Sequence, residues 1–296
     1  GLSKISSVFQ LLKKMKEVDA DYYVQRTLTP FTFLFGIWGS LFKKKFVYMV
    51  ASDGETDGNH NMYKKYIFRP LIFLAFKLPD LVICQNTYEV NMIKKHFNRG
   101  KKMEILRKGM EVKPFAFKEN CKYDAIWIGR TTPRKRTDLF INLAKDNPQK
   151  RFIMLCIPAL ETDQFSKEVE EAGKELKNLE VQFYVPHEKV LEYVRDSKAH
   201  ILTSEVEGDL SMTTLEASQL GVPTLSLFLD HELLFQKFNG GKYCEDNYED
   251  LNKTLEKICT DSDLREKLGK GAAKMIEEYY NIDKNIKKFI SILKRI

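Results

Sequence analysis

The stretch SEVEGDLSMTTLEASQLGVPTLSL, residues 204–227, decides how this chain is read. Glu205 and Glu207 precede Gly208, a run of small hydroxyl residues follows, and Glu216 comes before Gly221-Val222-Pro223 and a β-rich segment. Ser211 or Thr213 suits a helix N-cap, and Gly221 with Pro223 suits the helix stop. Thr213 and Glu216 have capping-box spacing, so helix capping alone accounts for Glu216. The functional alternative is that exposed N–H groups of residues 211–214, Ser211, Met212 and Thr213 among them, hold an anion. Acids on either side would then accept hydrogen bonds from hydroxyls of the same ligand.

Outward from this stretch, short apolar strands alternate with amphipathic helices. AIWIG (125–129), RFIMLCI (151–157), VQFYV (181–185), AHILTS (199–204) and TLSLFL (224–229) read as strands, and 137–146, 164–177, 187–196, 212–220 and 249–259 read as helices. That alternation specifies an α/β doubly wound parallel sheet with right-handed crossovers. Further strands are expected at 22–26, 46–51, 81–85 and 104–106. Segment 107–124 has no periodicity and marks a domain boundary. Such sheets bind ligands beyond the carboxyl ends of their strands, so the strand-to-helix loops carry the candidate site.

Two more of these loops stand out. In IWIGRTTPRKRTDLFI (126–141) a buried strand ends at Gly129 and is followed by Arg130, Arg134, Lys135 and Arg136, ahead of a helix with Thr137 or Asp138 as cap. Glycine permits a sharp turn there, and cations at a strand end can pair with phosphate oxygens. In YVPHEKVLEYV (184–194), Pro186-His187 opens a helix directly after a strand, and His187 reads as a polar cap before it reads as a catalyst. Phosphate donors flanked by carboxylates suit a ligand with phosphate in its middle and polyol at both ends, as in a nucleotide sugar.

Charge divides the chain. Residues 1–118 hold 21 Lys/Arg against 10 Asp/Glu, and residues 119–296 hold 27 against 31, within a total of +7. The basic part suits an anionic surface. No zinc-knuckle, RRM-like or helix-turn-helix signature accompanies it, so nucleic acid is not expected as a partner. The apolar run PFTFLFGIWGSLF (30–42), followed by Lys43, Lys44 and Lys45, is too short to span a bilayer. It reads as a buried helix, with a membrane-dipping aromatic end as the alternative. Five scattered cysteines without metal spacing indicate reduced thiols and no metal site.

In order and spacing, the second half resembles the retaining GT-B glycosyltransferases of family 4 (glycosyl transferases group 1). The carriers are Gly129-Arg130…Lys135, then VQFYVPHEKVLEYVRDSKAHILTS, then EGDLSMTTLEASQLGVPTLSL, where the family has EGxGxxxLEAMAxGxPVV. NYEDLNKTLEKICTDSDLREKLGKGAAKMIEEYYN is similar to the family's closing helices, and DLVICQNTYEVNMIKKHF to its connection between domains, with Arg107-Lys108 in place of Pro-Asn. The family separates its two glutamates by seven residues. Here Glu207 and Glu216 are separated by eight, Glu205 would leave ten and Asp209 six, and Glu207 is taken as the match.

The resemblance implies a GT-B fold, two Rossmann-like doubly wound domains facing a cleft. Residues 1–115 would form an N-terminally truncated acceptor-side domain and 116–280 the nucleotide-sugar domain, with a helix over 281–296 returning to the first. It implies transfer of a sugar, with retention, from a nucleoside-diphosphate donor to a polysaccharide or lipid-linked acceptor, with no cofactor and no obligatory metal. Gly129, Arg130, Lys135, Pro186, Gly208, Ser211, Met212, Thr213 and Glu216 would bind the donor. Glu207 would face its sugar. Asp53, in Ala51-Ser52-Asp53 where many members carry a histidine, is the other catalytic candidate. The expected place is the cytoplasm, peripheral to the inner face of the membrane, and the alternative is a nucleotide-sugar-binding protein of the same fold without turnover.

Overall fold

The computed structural model describes residues 2–29, 31–58, 60, 66–97, 102–159 and 163–296. The chain divides into two compact units, Gly1–Leu106 together with Phe289–Ile296, and Arg107–Lys288. In the first, helix α1 (Leu2–Val18) leads into β1 (Tyr22–Arg26), and α2 (Thr32–Phe42) joins it to β2 (Lys45–Met49). Helices α3 (Gly54–Asp57) and α4 (Arg69–Lys77) precede β3 (Leu81–Cys84), and α5 (Thr87–Phe97) precedes β4 (Met103–Ile105). The four strands pair in parallel in the order β1-β2-β3-β4. Side chains alternate across this sheet. Phe46, Tyr48, Val82 and Cys84 pack with Ile72, Phe76 and Ile93 on one face. Val47, Leu81 and Ile83 form the other, covered by Phe289, Ile292 and Leu293.

Helix α2 corrects the expectation of a buried helix. Only Thr32, Gly36 and Gly39 are buried along it, while Ile37, Leu41 and Phe42 are exposed. Its glycines make the contact. A Cβ at Gly36 would fall 2.3 Å from Leu78 Cβ, and one at Gly39 would fall 2.8 Å from the Lys44 carbonyl oxygen. With the small residues turned inward, Ile37, Leu41 and Phe42 face outward, and of the large residues Phe35 and Trp38 pack against the core. The lysine run after it is partly neutralised, Lys44 pairing with Asp19 at 3.0 Å and Lys45 with Asp80 at 3.4 Å.

The second unit runs β5 (Tyr123–Thr131), α6 (Thr137–Asp146), β6 (Phe152–Pro158), α7 (Asp163–Glu175), β7 (Leu179–Phe183), α8 (His187–Arg195), β8 (Ser197–Leu202), α9 (Met212–Gln219), β9 (Thr224–Ser226), α10 (Leu234–Phe238) and β10 (Gly241–Tyr243). Helices α11 (Tyr248–Thr260), α12 (Ser262–Met275) and α13 (Ile282–Leu293) follow. All six strands are parallel, in the order β10-β9-β8-β5-β6-β7. Strand order therefore reverses between β5 and β8, and this reversal opens a crevice at their carboxyl ends. Beneath it, Trp127, Phe140, Phe152, Ile201 and Leu225 form the core. No cysteine is in a disulfide, and burial pushes the Cys156, Cys244 and Cys259 thiols up to about 12. Such thiols stay protonated and unreactive.

Glu89, inside α5, is fully buried. It takes hydrogen bonds from the Gln85 N–H at 2.6 Å and from Gln85 Nε2 at 3.1 Å. Burial, with added repulsion from Asp53 and Glu55, lifts its carboxyl to about 8. A carboxyl raised on folding stabilises below its unfolded value, near 4.5, and that contribution is lost as pH rises through about 8. Thermal stability of the wild type should therefore fall from pH 5 to pH 9, and Glu89→Gln should flatten the slope. Equal slopes in both proteins would contradict this.

Candidate functional site

The site is built where the strand order reverses. Strand β5 runs out at Gly129, Arg130 and Thr131, and the chain turns through a short 3-10 segment, Pro133–Lys135. Arg136 then adopts a left-handed conformation, φ 48° and ψ 54°, before α6 begins. Neither Thr137 nor Asp138 caps that helix, because Arg136 occupies the N-cap position and makes no side-chain cap bond. A non-glycine residue held in this region stores strain, and here the surroundings hold it. The loop after β8 fastens to it. The Glu205 N–H donates to the Arg134 carbonyl at 2.9 Å, and Thr203 Oγ1 donates to the Lys135 carbonyl at 2.6 Å while accepting from Trp127 Nε1 at 2.9 Å.

These contacts sort the three acids of the loop. Glu205 faces away, paired with Arg136 at 2.8 Å. Asp209 is buried and receives hydrogen bonds from Tyr280 and Arg107. Glu207 pairs with the Lys135 ammonium, and both line a pocket of about 400 Å³. Gly129, Arg130, Ser211, Met212 and Thr213 line the same pocket, with Ile128, Leu155, Ile157, Val185 and Val190 as apolar walls. A side chain at Gly129 would begin 3.1 Å from the Trp127 ring. Arg130 is exposed at the rim, without a carboxylate partner among the described residues. Sequence reasoning missed Lys108. It lines the pocket and donates to the Leu210 carbonyl at 2.8 Å, and the replaced Pro-Asn was its one signal.

Helix α9 starts at the pocket. Ser211 is its N-cap and accepts from the Thr214 N–H at 3.1 Å. The Thr213–Glu216 capping box does not form, because the helix begins at Met212 and Glu216 falls in its second turn. The free N–H groups of the first turn and the helix dipole therefore favour an anion at this place. Gly208 is buried in the loop between Glu207 and the cap. Glu216 is largely buried, which raises its carboxyl, and its oxygen lies 3.9 Å from Nδ1 of the exposed His187, which pulls the other way. Pro186 is the N-cap residue of α8 and, like Glu216, stands outside the pocket lining. His200 in β8 is fully buried and its ring is pushed down to about 3 by desolvation and by Lys135, so it stays neutral.

Asp53 belongs to the first unit, at the start of α3 beyond β2, where its carboxylate accepts from Asn86 Nδ2 at 3.1 Å. Two acids that the sequence reading passed over, Glu55 and Glu89, are buried near it. Burial raises the Glu55 carboxyl, against the hydrogen bond from Tyr48 Oη at 2.5 Å. A second hollow in the second unit, about 370 Å³, lies at the amino ends of β8 and β9. Its buried Arg265 donates to the Ile258 and Glu119 carbonyls at 3.1 and 2.7 Å. A cation serving helix-end and loop carbonyls holds the structure together and leaves the chemistry to the other end of the sheet.

A doubly wound unit with cations and a helix N-terminus at its switch point has the geometry that favours a phosphate-bearing ligand. Residues 111–275 match the family Glycosyl transferases group 1, and the chain belongs to that family. It is 23% identical over 239 residues to the uncharacterized glycosyltransferase MJ1069 of Methanocaldococcus jannaschii, covering 75% of this chain and 60% of the relative's length. HepE (Alr3699) of Anabaena, solved with UDP-glucose, superposes with TM-score 0.79 at 13% identity, over 98% of this chain and 82% of that one. A point mutant of TarM of S. aureus, solved with Fondaparinux, alpha-GlcNAc-glycerol and UDP, gives 0.72 at 15%, over 94% and 57%. Sucrose-phosphate synthase of Thermosynechococcus elongatus gives 0.78 at 13%, over 96% and 76%. The two parallel-sheet units have the GT-B fold of these neighbours.

The cap of α9 gives a direct check. Ser211→Ala removes the bond to the Thr214 N–H and should cost about 1 kcal/mol in urea unfolding. A change below about 0.3 kcal/mol would show that Ser211 does not organise this end of the helix.

Proposed function

We propose that this chain transfers a sugar, with retention, from a nucleoside-diphosphate donor in the manner of family 4, moving a hexose to a polysaccharide or lipid-linked acceptor. The observation that carries the proposal is the convergence of Arg130, Lys135, Glu207 and the α9 N-terminus on one pocket at the β5/β8 switch point. The UDP and UDP-glucose bound by the neighbours suggest uridine as the donor base. Arg130, Lys135 and the free α9 N–H groups would neutralise the departing diphosphate, and Glu216 would hold the ribose. Charge stabilisation of the leaving group would supply most of the rate, so the reading asks for no metal and no strong base. The leaving phosphate oxygen can take the acceptor proton. Pro186 and Gly208 would shape the pocket's edges. In the first unit, the Asp53 carboxylate stands in for the family's histidine as the second catalytic candidate, on the acceptor side.

The charge of the first 118 residues and the outward-facing Ile37, Leu41 and Phe42 support peripheral docking on an anionic membrane face, where a lipid-linked acceptor would be met. No helix among the described residues is long and apolar enough to cross a membrane.

Calorimetric titration separates the roles. Lys135→Ala should weaken uridine diphosphate binding by about 1.5–3 kcal/mol, the range of a charged hydrogen bond. Glu216→Gln should weaken the free nucleotide and the whole donor alike. Glu207→Gln should leave free nucleotide binding intact or tighter, because it frees Lys135, yet depress transfer. Unchanged binding in Lys135→Ala would remove that residue from the site. For the membrane, sedimentation with phosphatidylserine vesicles should show binding that fades as salt rises, with none to phosphatidylcholine. Equal binding to both lipids, or to neither, would exclude electrostatic docking.

A further inference from the structure

The loop that carries Glu207 is fastened from beneath by groups that the pocket does not use. The Asp209 side chain has no exposed surface. Its Oδ1 accepts from Tyr280 Oη at 2.7 Å and from Arg107 Nη1 at 3.3 Å, while Oδ2 has no hydrogen-bond partner among the described residues. Arg107 also pairs with Glu232, and its guanidinium lies 5.2 Å from the centre of the Tyr279 ring and 5.8 Å from that of Tyr280. Leu210, the next residue, is buried among Met110, Leu215, Phe235 and Tyr280. Its carbonyl accepts from Lys108, whose own carbonyl accepts from Asn285 Nδ2 at 2.9 Å. Two consecutive loop residues are thus pinned to segments distant in sequence, between Glu207 and Ser211, which both line the pocket.

We propose that Arg107, Asp209 and Tyr280 are positioning residues, a lock that fixes the loop carrying Glu207 and accommodates its extra residue. The loop has one residue more than the family spacing between its glutamates. An added residue in an unsupported loop would let the Glu207 carboxylate wander. Turning Asp209 and Leu210 inward takes up that length and ties it to a charged, buried partner. The geometry explains the choice of side chains. A carboxylate bonded through one oxygen depends on both of its donors, because a buried acceptor left unmet is costly. Arg107 alone reaches both Asp209 and Glu232, and its planar guanidinium matches the two tyrosine rings.

The proposal rests on the pocket being the donor site, so the test has one arm that needs no donor. Tyr280→Phe is the sharpest variant, since it keeps the ring beside Arg107 and removes only the hydroxyl. Asp209→Asn is the second, in case the first does not fold. In the unliganded protein, amide exchange over residues 205–211 should rise in both variants while α12 stays protected. With UDP-glucose as probe donor, hydrolytic kcat should fall about tenfold, the effect of one hydrogen bond, with KM and uridine diphosphate affinity within about twofold. Unchanged exchange over 205–211 would overturn the lock. So would a kcat loss matched by an equal loss of nucleotide affinity, since that pattern belongs to general destabilisation. A wild type that turns over no donor would refute the enzymatic reading and leave the exchange result to decide the lock.

Discussion

The second unit is organised around the ion pair between Lys135 and Glu207. Each residue lies in a different strand-to-helix connection, and the connections meet because β5 and β8 are neighbours in the sheet though far apart in sequence. Both side chains are partly buried, so the pair is screened less than a surface salt bridge and costs more to desolvate. That balance suits a site that must receive an anion. A diphosphate would compete with Glu207 for the lysine, which frees the glutamate for a hydroxyl of the same ligand. The backbone bond from Glu205 to Arg134 and the bond from the Thr203 hydroxyl to the Lys135 carbonyl hold the loops in register, so the pair does not carry the geometry alone.

The two ends of the same sheet show why a cluster of cations is not by itself a binding site. At the carboxyl ends, Arg130 and Lys135 stand with a helix N-terminus, and both contributions favour negative charge. At the amino ends, Arg265 meets carbonyls, Lys198 pairs with Asp124 at 2.8 Å and Lys118 pairs with Asp196. There these three cations already have partners.

Much of this was legible in the sequence. Helix α6 falls where the 3.6-residue pattern placed it, and β5, β6 and β8 centre on apolar runs bounded by turns, the pattern of strands buried on both faces, while the edge strand β7 is only partly buried. Strand β10 and helix α10, at three and five residues, are too short to show a period. The outward face of α2 was hidden for another reason: a continuous apolar run does not say which side packs, and here the glycines decide. Spacing favoured Glu207 over Glu205 and Asp209, but the partner of each acid was out of reach. Those partners are Arg136, Lys135, Arg107 and Tyr280, all separated from the acids by long stretches of chain. Lys108 escaped because its role exists only once the 107–110 segment lies against the loop.

The central claim is that the β5/β8 switch point binds a nucleoside diphosphate through Arg130, Lys135 and the start of α9. A crystal structure of the chain with uridine diphosphate tests it most directly. The account predicts the diphosphate against Arg130, Lys135 and the N–H groups of Met212 and Thr213, with the ribose hydroxyls on Glu216. A nucleotide seated at the amino-end hollow beside Arg265, or one in the pocket with its phosphates turned away from Lys135, would contradict it.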